Sequence, residues 1–242
     1  MNRKVLIISN PGEIGADNYC EGVKKDVLNY NNFFKDTYGG AWFDSEIISL
    51  ERPTKQKLDS YLTQINAADY SIIVFTGHGY MCNGDTIIEL KEGEEYNTKY
   101  LAKSGRTLIL DGCRTKYDFL QESVFAEFSN KLEKRSMSIW DARKYYEEEI
   151  LKCGKQRLVL YSCDEDECSN DDSRKGGYYS YNLLKIARNW YERKGYALYP
   201  ATLTMVQAHE QTKNLLKGII DNQTPQIEKP REEPYYPLAI IK

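Results

Sequence analysis

The sequence has 242 residues, 41% hydrophobic and 29% charged, which excludes a disordered chain and supplies a sizeable core without disulfides or metals. With 33 basic against 36 acidic residues the formal charge is −3, so the basic excess of a general nucleic-acid binder is missing. No apolar run reaches membrane-helix length, and Val5–Ile8 behind Met1-Asn2-Arg3-Lys4 is too short for a secretion signal. A cytoplasmic protein with neither nucleic-acid nor membrane partners is expected.

Along the chain, Lys4–Ser9 (KVLIIS) is a short apolar run closed by Asn10-Pro11-Gly12 and reads as strand then turn. Val23, Val27, Tyr30 and Phe34 then fall on one helical stripe. Ser45–Leu50 predicts a second strand. Leu58, Leu62 and Ile65 mark a second helix, with Thr54 as its cap. Tyr70–Thr76 (YSIIVFT), Thr107–Asp111 (TLILD) and Arg157–Ser162 (RLVLYS) predict three further strands, the first apolar on both faces. Helices are predicted over roughly 140–152, 178–192 and 203–217, and a last strand over Tyr235–Ile241. The segment 116–156 reads as a polar connection and 221–234, rich in Pro and charge, as an extended loop.

Strands that alternate with helices pair in parallel through right-handed crossovers, and near-continuous apolar strands are covered on both faces. The expected fold class is therefore an α/β sandwich around one mostly parallel sheet.

Two predicted strand ends carry chemistry. Phe75-Thr76-Gly77-His78-Gly79 closes the third strand and Leu110-Asp111-Gly112-Cys113-Arg114 the fourth. Ligands of open parallel sheets bind beyond the carboxyl ends of the strands, so neighbouring strands would bring His78 and Cys113 to one edge. A thiolate is a nucleophile, and an imidazole beside it can take its proton and later protonate a leaving amine. The backbone N–H groups of Gly79 and Cys113 are the expected oxyanion donors. Arg114 either raises the thiolate fraction or points to solvent. The other cysteines (Cys20, Cys82, Cys153, Cys163 and Cys168) match no zinc ribbon or CxxC spacing, so thiols and no metal centre are expected. His209 reads as a surface or packing residue.

FTGHG at Phe75–Gly79 resembles the histidine motif of caspases, metacaspases and their bacterial relatives, and DGCRT at Asp111–Thr115 resembles their cysteine motif. LIISN at Leu6–Asn10 with Gly22 and Asp26, YSCDEDECSND at Tyr161–Asp171, Gly176-Gly177-Tyr178 and Gln223-Thr224-Pro225-Gln226 extend the likeness over nearly the whole chain. The sequence departs from the caspase pattern in having Asp-Gly before the cysteine instead of Gln-Ala. The resemblance, nearest to prokaryotic metacaspase-like members, implies a caspase-like three-layer α/β/α sandwich forming a single peptidase domain over 1–242. It implies a cysteine endopeptidase with Cys113 as nucleophile and His78 as acid–base. Asp26 and Asp111 stand where metacaspase-like members carry an acidic S1 pocket, so cleavage after Arg or Lys is expected. From the residues alone Asp26 could equally be an exposed helix charge and Asp111 a turn or helix cap.

The family is often cut between the cysteine strand and the next, which makes Lys131, Lys134 and Arg135 expected self-cleavage sites within a processing segment at 116–156. Some metacaspases need Ca²⁺. The run Asp164-Glu165-Asp166-Glu167 with Asp171-Asp172 could bind it, or a basic substrate residue, or be a solvated face, and no EF-hand pattern is present. No cofactor is expected otherwise. The resemblance further implies a protein substrate, such as a gasdermin-like or other defence protein, and a role in bacterial immunity or programmed cell death. Two other readings compete. One is a catalytically silent caspase-like binding module. The other is a flavodoxin-like phosphate binder, for which Asn10–Gly15 (NPGEIG) lacks the required glycine spacing.

Overall fold

The computed structural model describes residues 1–115, 137–194 and 199–242. Its first half runs β1 (Arg3–Asn10), α1 (Gly22–Lys35), β2 (Ile47–Glu51), α2 (Lys55–Asn66), β3 (Tyr70–Gly77), β4 (Gly79–Cys82), β5 (Asp85–Lys91), β6 (Glu94–Asn97) and β7 (Arg106–Asp111). The second half runs α3 (Ile139–Lys152), β8 (Arg157–Tyr161), β9 (Asp171–Asp172), β10 (Gly176–Gly177), α4 (Tyr178–Lys194), β11 (Ala201–Thr204), α5 (Met205–Leu216), β12 (Gln226–Glu228) and β13 (Pro237–Ile241). The Thr54 hydroxyl caps α2 by accepting from Lys57 N–H at 3.1 Å, the cap its position predicts.

Six strands form the main sheet in the order β12-β8-β7-β3-β1-β2, all parallel except β12, which pairs antiparallel with β8. The apolar runs feed both faces by strict alternation. Val5, Ile7, Ile72, Val74, Ile109, Leu158 and Leu160 face one core, shared with α1, α3, α4 and α5. Leu6, Ile8, Ile73, Phe75, Leu108, Leu110 and Val159 face the other, covered by Leu58, Leu62 and Ile65 of α2 and by Ile88 and Leu90 of β5. Each such aliphatic side chain, fully withdrawn from water, contributes about 1.5–3 kcal/mol. This is the expected three-layer sandwich with a mostly parallel sheet.

One local reading is corrected: the tail 221–234 is not wholly loop, because β12 supplies the sixth strand of the main sheet. Tyr235–Ile241 contains the expected last strand, β13, which pairs antiparallel with β11 outside that sheet. Between His78 and Cys113, β4, β5 and β6 form an antiparallel sheet of their own. Lys131, Lys134 and Arg135 lie outside the described residues. Among the described residues no helix is long and apolar enough to cross a membrane.

Candidate active site

Strand register decides what meets at the carboxyl edge. Thr76 of β3 pairs with Asp111 of β7, and Asn10 of β1 with Gly77 of β3. Gly77-His78 and Gly112-Cys113 therefore leave adjacent strands side by side. The crowding there explains two glycines. A Cβ on Gly77, at φ 139°, would collide with the Asn10 carbonyl oxygen, and one on Gly112 would come within 2.5 Å of the Gly77 carbonyl oxygen. Gly79 opens β4 with its backbone against Cys113: a Cβ there would stand 3.2 Å from the Cys113 carbonyl oxygen.

Cys113 and His78 line the same cavity, of about 30 Å³, and both are buried. They do not bond to each other in this arrangement. His78 Nε2 lies 3.7 Å from Cys20 Sγ, in the loop before α1. The neighbouring Cys168 thiol, together with burial, holds the Cys113 thiol well above the usual thiol range. Catalytic hydrogen bonds are often loose without substrate and tighten in the complex.

Three carboxylates border the same cavity: Asp26 from α1, Asp111 from the end of β7 and Asp171 from β9. Asp26 is no exposed helix charge, being 1% exposed. It accepts from the Thr76 hydroxyl at 2.6 Å and from Gly177 N–H at 3.0 Å. Asp111 accepts from the Ser169 hydroxyl and, at 2.9 Å, from Ser180 N–H in the first turn of α4. Asp171 accepts from Gly22 N–H, the first residue of α1, at 2.9 Å, while its Oδ1 is buried with no hydrogen-bond partner. The positive ends of two helices thus hold the acids, and no Lys or Arg stands among the described residues lining the cavity.

Desolvation dominates their protonation. Burial, with Asp111 adding repulsion, raises the Asp26 carboxyl well above its ordinary range. Burial raises Asp111 against its hydrogen bonds, and burial with Asp111 nearby pushes Asp171 up to about 6. Neutralising this cluster is what a guanidinium or ammonium would do.

Other residues have structural places. Arg114 does not point to solvent: it is 7% exposed, with its guanidinium 4.2 Å from the Tyr161 ring centroid and hydrogen-bonded to the Thr86 hydroxyl and the Cys163 carbonyl. The acidic run is not a free face throughout, since Glu167 accepts from the Thr224 hydroxyl at 3.0 Å and Asp164 from the Gln226 side-chain amide at 2.6 Å. His209 is fully buried, bonded to the Tyr179 hydroxyl at 2.8 Å, and burial lowers it to about 4. Cys163 is fully buried too.

Sequence reasoning named Asp171 only within an acidic run that could bind a basic residue, and it missed Cys20 and Cys168 as neighbours of His78 and Cys113. In the sequence Asp171 is one member of an acidic run, although its place beside Gly176-Gly177 in a β-turn-β unit puts it under α1. No local signal marks Cys20 or Cys168, since each reaches the site through a loop.

A mostly parallel sandwich with a thiol and an imidazole at the carboxyl ends of adjacent central strands defines the caspase-fold class. A sequence model described as the caspase domain matches residues 2–236, so the chain belongs to that family, whose members are cysteine peptidases. Its fold is similar to that of caspase-1 from Spodoptera frugiperda, at TM-score 0.57 and 11% identity over 94% of this chain and 86% of that one. It is likewise similar to the Drosophila initiator caspase Dronc, at TM-score 0.57 and 10% identity over 93% of this chain and 78% of that one. No curated protein matches the sequence.

Proposed function

We propose that this chain is a cysteine endopeptidase that cleaves proteins after Arg or Lys, with Cys113 as nucleophile and His78 as acid–base. One observation carries the reading: a thiol, an imidazole and three carboxylates border a single cavity at the carboxyl edge, with no Lys or Arg among the described residues that line it. In the reaction the Cys113 sulfur attacks the scissile carbonyl carbon, and the N–H groups of Gly79 and Cys113 receive the oxyanion. The C–N bond breaks as the His78 imidazolium protonates the amine. Water, deprotonated by His78, then hydrolyses the thioester. Asp26, Asp111 and Asp171 take the basic P1 side chain, whose charge favours their ionised forms.

The cavity of about 30 Å³ has room for little more than a water. A substrate side chain needs more room than this, and its binding must separate Cys113 from Cys168 and His78 from Cys20. Those same contacts favour the second reading, a silent binding module, if they persist when substrate is offered. A gasdermin-like or other defence protein is a fitting substrate only through the family resemblance, and Ca²⁺ is carried as an assay variable.

The test is a fluorogenic panel with Arg, Lys or Asp at P1, with and without Ca²⁺, on wild type and Cys113→Ala. Turnover after Arg and Lys, lowered at least about 10³-fold by Cys113→Ala, is expected. Turnover after Asp alone would remove the pocket assignment, and no turnover in any arm would favour the binding module. Intact masses of the two forms after incubation test cutting at Lys131, Lys134 or Arg135: only the wild type should shorten.

A further inference from the structure

Cys113 has a second thiol beside it, held there by backbone. Arg114 N–H donates to the Glu167 carbonyl at 2.8 Å, Asp166 N–H donates to the Arg114 carbonyl at 3.2 Å, and Cys113 Sγ stands 4.0 Å from the Ser169 carbonyl oxygen. These contacts lay residues 166–169 along residues 113–114 and so bring Cys168 beside Cys113, near enough to raise the proton affinity of its thiol. Cys163, the third thiol nearby, is fully buried and directs its S–H to the carbonyls of Gly112 (3.4 Å) and Glu167 (3.3 Å). Cys168 is half-buried, where an oxidant can reach it, whereas Cys113 is 6% exposed.

We infer that Cys113 and Cys168 form a reversible disulfide that switches the peptidase off under peroxide, an inference whose regulatory half rests on Cys113 being the nucleophile. In a pair of neighbouring thiols one proton leaves first, and the remaining S–H supports the thiolate. Cys168, the more accessible sulfur, attacks hydrogen peroxide. The O–O bond breaks, hydroxide leaves, and Cys168 becomes a sulfenic acid. The Cys113 sulfur then attacks the Cys168 sulfur, the S–O bond breaks and the S–S bond forms. The departing hydroxyl leaves as water with the Cys113 proton. Overall two thiols lose two electrons and two protons, and peroxide becomes two waters. The disulfide removes the attacking sulfur while protecting it from irreversible oxidation. A dithiol reductant reverses the step.

The experiment treats the full, reduced chain with hydrogen peroxide, followed by a non-reducing peptide map and assay on the Arg substrate. Expected are one linked peptide joining Cys113 to Cys168, a loss of activity of more than about tenfold, and recovery of both by dithiothreitol. Cys168→Ser, with Cys168→Ala as a second variant, should keep reduced activity at or above that of wild type. Both should form no such link, and peroxide should inactivate them without recovery by dithiothreitol. A link from Cys113 to a different cysteine, oxidation of Cys113 without any link, or full recovery of the Cys168 variants would overturn the inference. If the link forms in a protein without peptidase activity, the peptidase reading fails and the disulfide stands. If an active enzyme forms no link, the disulfide fails and the peptidase reading stands.

Discussion

The two edges of the central sheet bury charge in opposite ways. At the amino edge Arg3, 1% exposed, donates to the Gly40 carbonyl at 2.7 Å and lies 4.3 Å from the Trp42 ring centroid. Its Nε stands 3.5 Å from Glu46 and 3.6 Å from Glu147, and Arg143 bridges to Glu46 at 2.6 Å, so cations and carboxylates alternate. At the carboxyl edge Asp26, Asp111 and Asp171 have backbone N–H groups and hydroxyls for partners. The first cluster sets opposite charges beside each other within the fold, although Arg3 Nε and Nη1 have no hydrogen-bond partner. The second keeps three acids whose burial raises their proton affinity, and the proposed basic P1 side chain would shift them to their ionised forms.

That contrast can be broken from either edge. The largest expected effect is at the amino edge: Arg3→Met leaves Glu46 and Glu147 short of a partner and should cost about 3–5 kcal/mol in urea unfolding, with an unchanged P1 preference in protein that stays folded. At the carboxyl edge, Asp111→Asn removes a charge the fold does not use for an ion pair. It should raise KM for the Arg substrate about 10–100-fold with a smaller change in kcat, because uniform binding is what is lost. Equal losses in both parameters would instead make Asp111 a part of the chemical step.

Asp171→Asn sharpens the comparison through pH. A carboxyl raised to about 6 holds its proton more tightly folded than unfolded, so folded stability falls as pH climbs from about 4 to about 6 and stays lower above. Asp171→Asn should therefore be about 1–2 kcal/mol more stable than wild type at pH 8, with the gap closing toward pH 4. For the same reason wild-type KM for an Arg substrate should fall as pH rises through about 6, and the variant should show a flatter profile. A Tm difference independent of pH would contradict the assignment. The smallest effect is at Cys20: with no thiol at 3.7 Å from His78, Cys20→Ala should raise kcat/KM a few-fold (about 2–5).

Legibility in the sequence follows the same division. β1, β3, β7 and β8 can be read because buried parallel strands are unbroken apolar runs, and the strand-end positions of His78 and Cys113 follow from them. β12 cannot be read, since a three-residue strand, Gln-Ile-Glu, at the sheet edge needs no apolar run. β4 to β6 escape as well: β4 and β6 are four-residue, partly exposed pieces, and β5 (DTIIELK) alternates buried and half-buried positions in place of an unbroken apolar run. Asp26 and Asp111 enter through motif resemblance, whereas Asp171 and Cys168 depend on how the 163–172 loop folds back over β7. Side chains fixed by strand register are visible from spacing; those fixed by loop-to-loop contact are not.

Covalent capture probes the proposed nucleophile and its acidic pocket together. The reduced chain is incubated with an arginyl chloromethyl ketone or, separately, an aspartyl one, and its intact mass and peptide map are taken. A single arginyl adduct on Cys113 is expected, lost in Cys113→Ala and strongly slowed in Asp111→Asn, with little aspartyl adduct. Labelling of Cys20 or Cys168 in place of Cys113, or equal reaction with both reagents, would contradict a Cys113 nucleophile served by an acidic pocket.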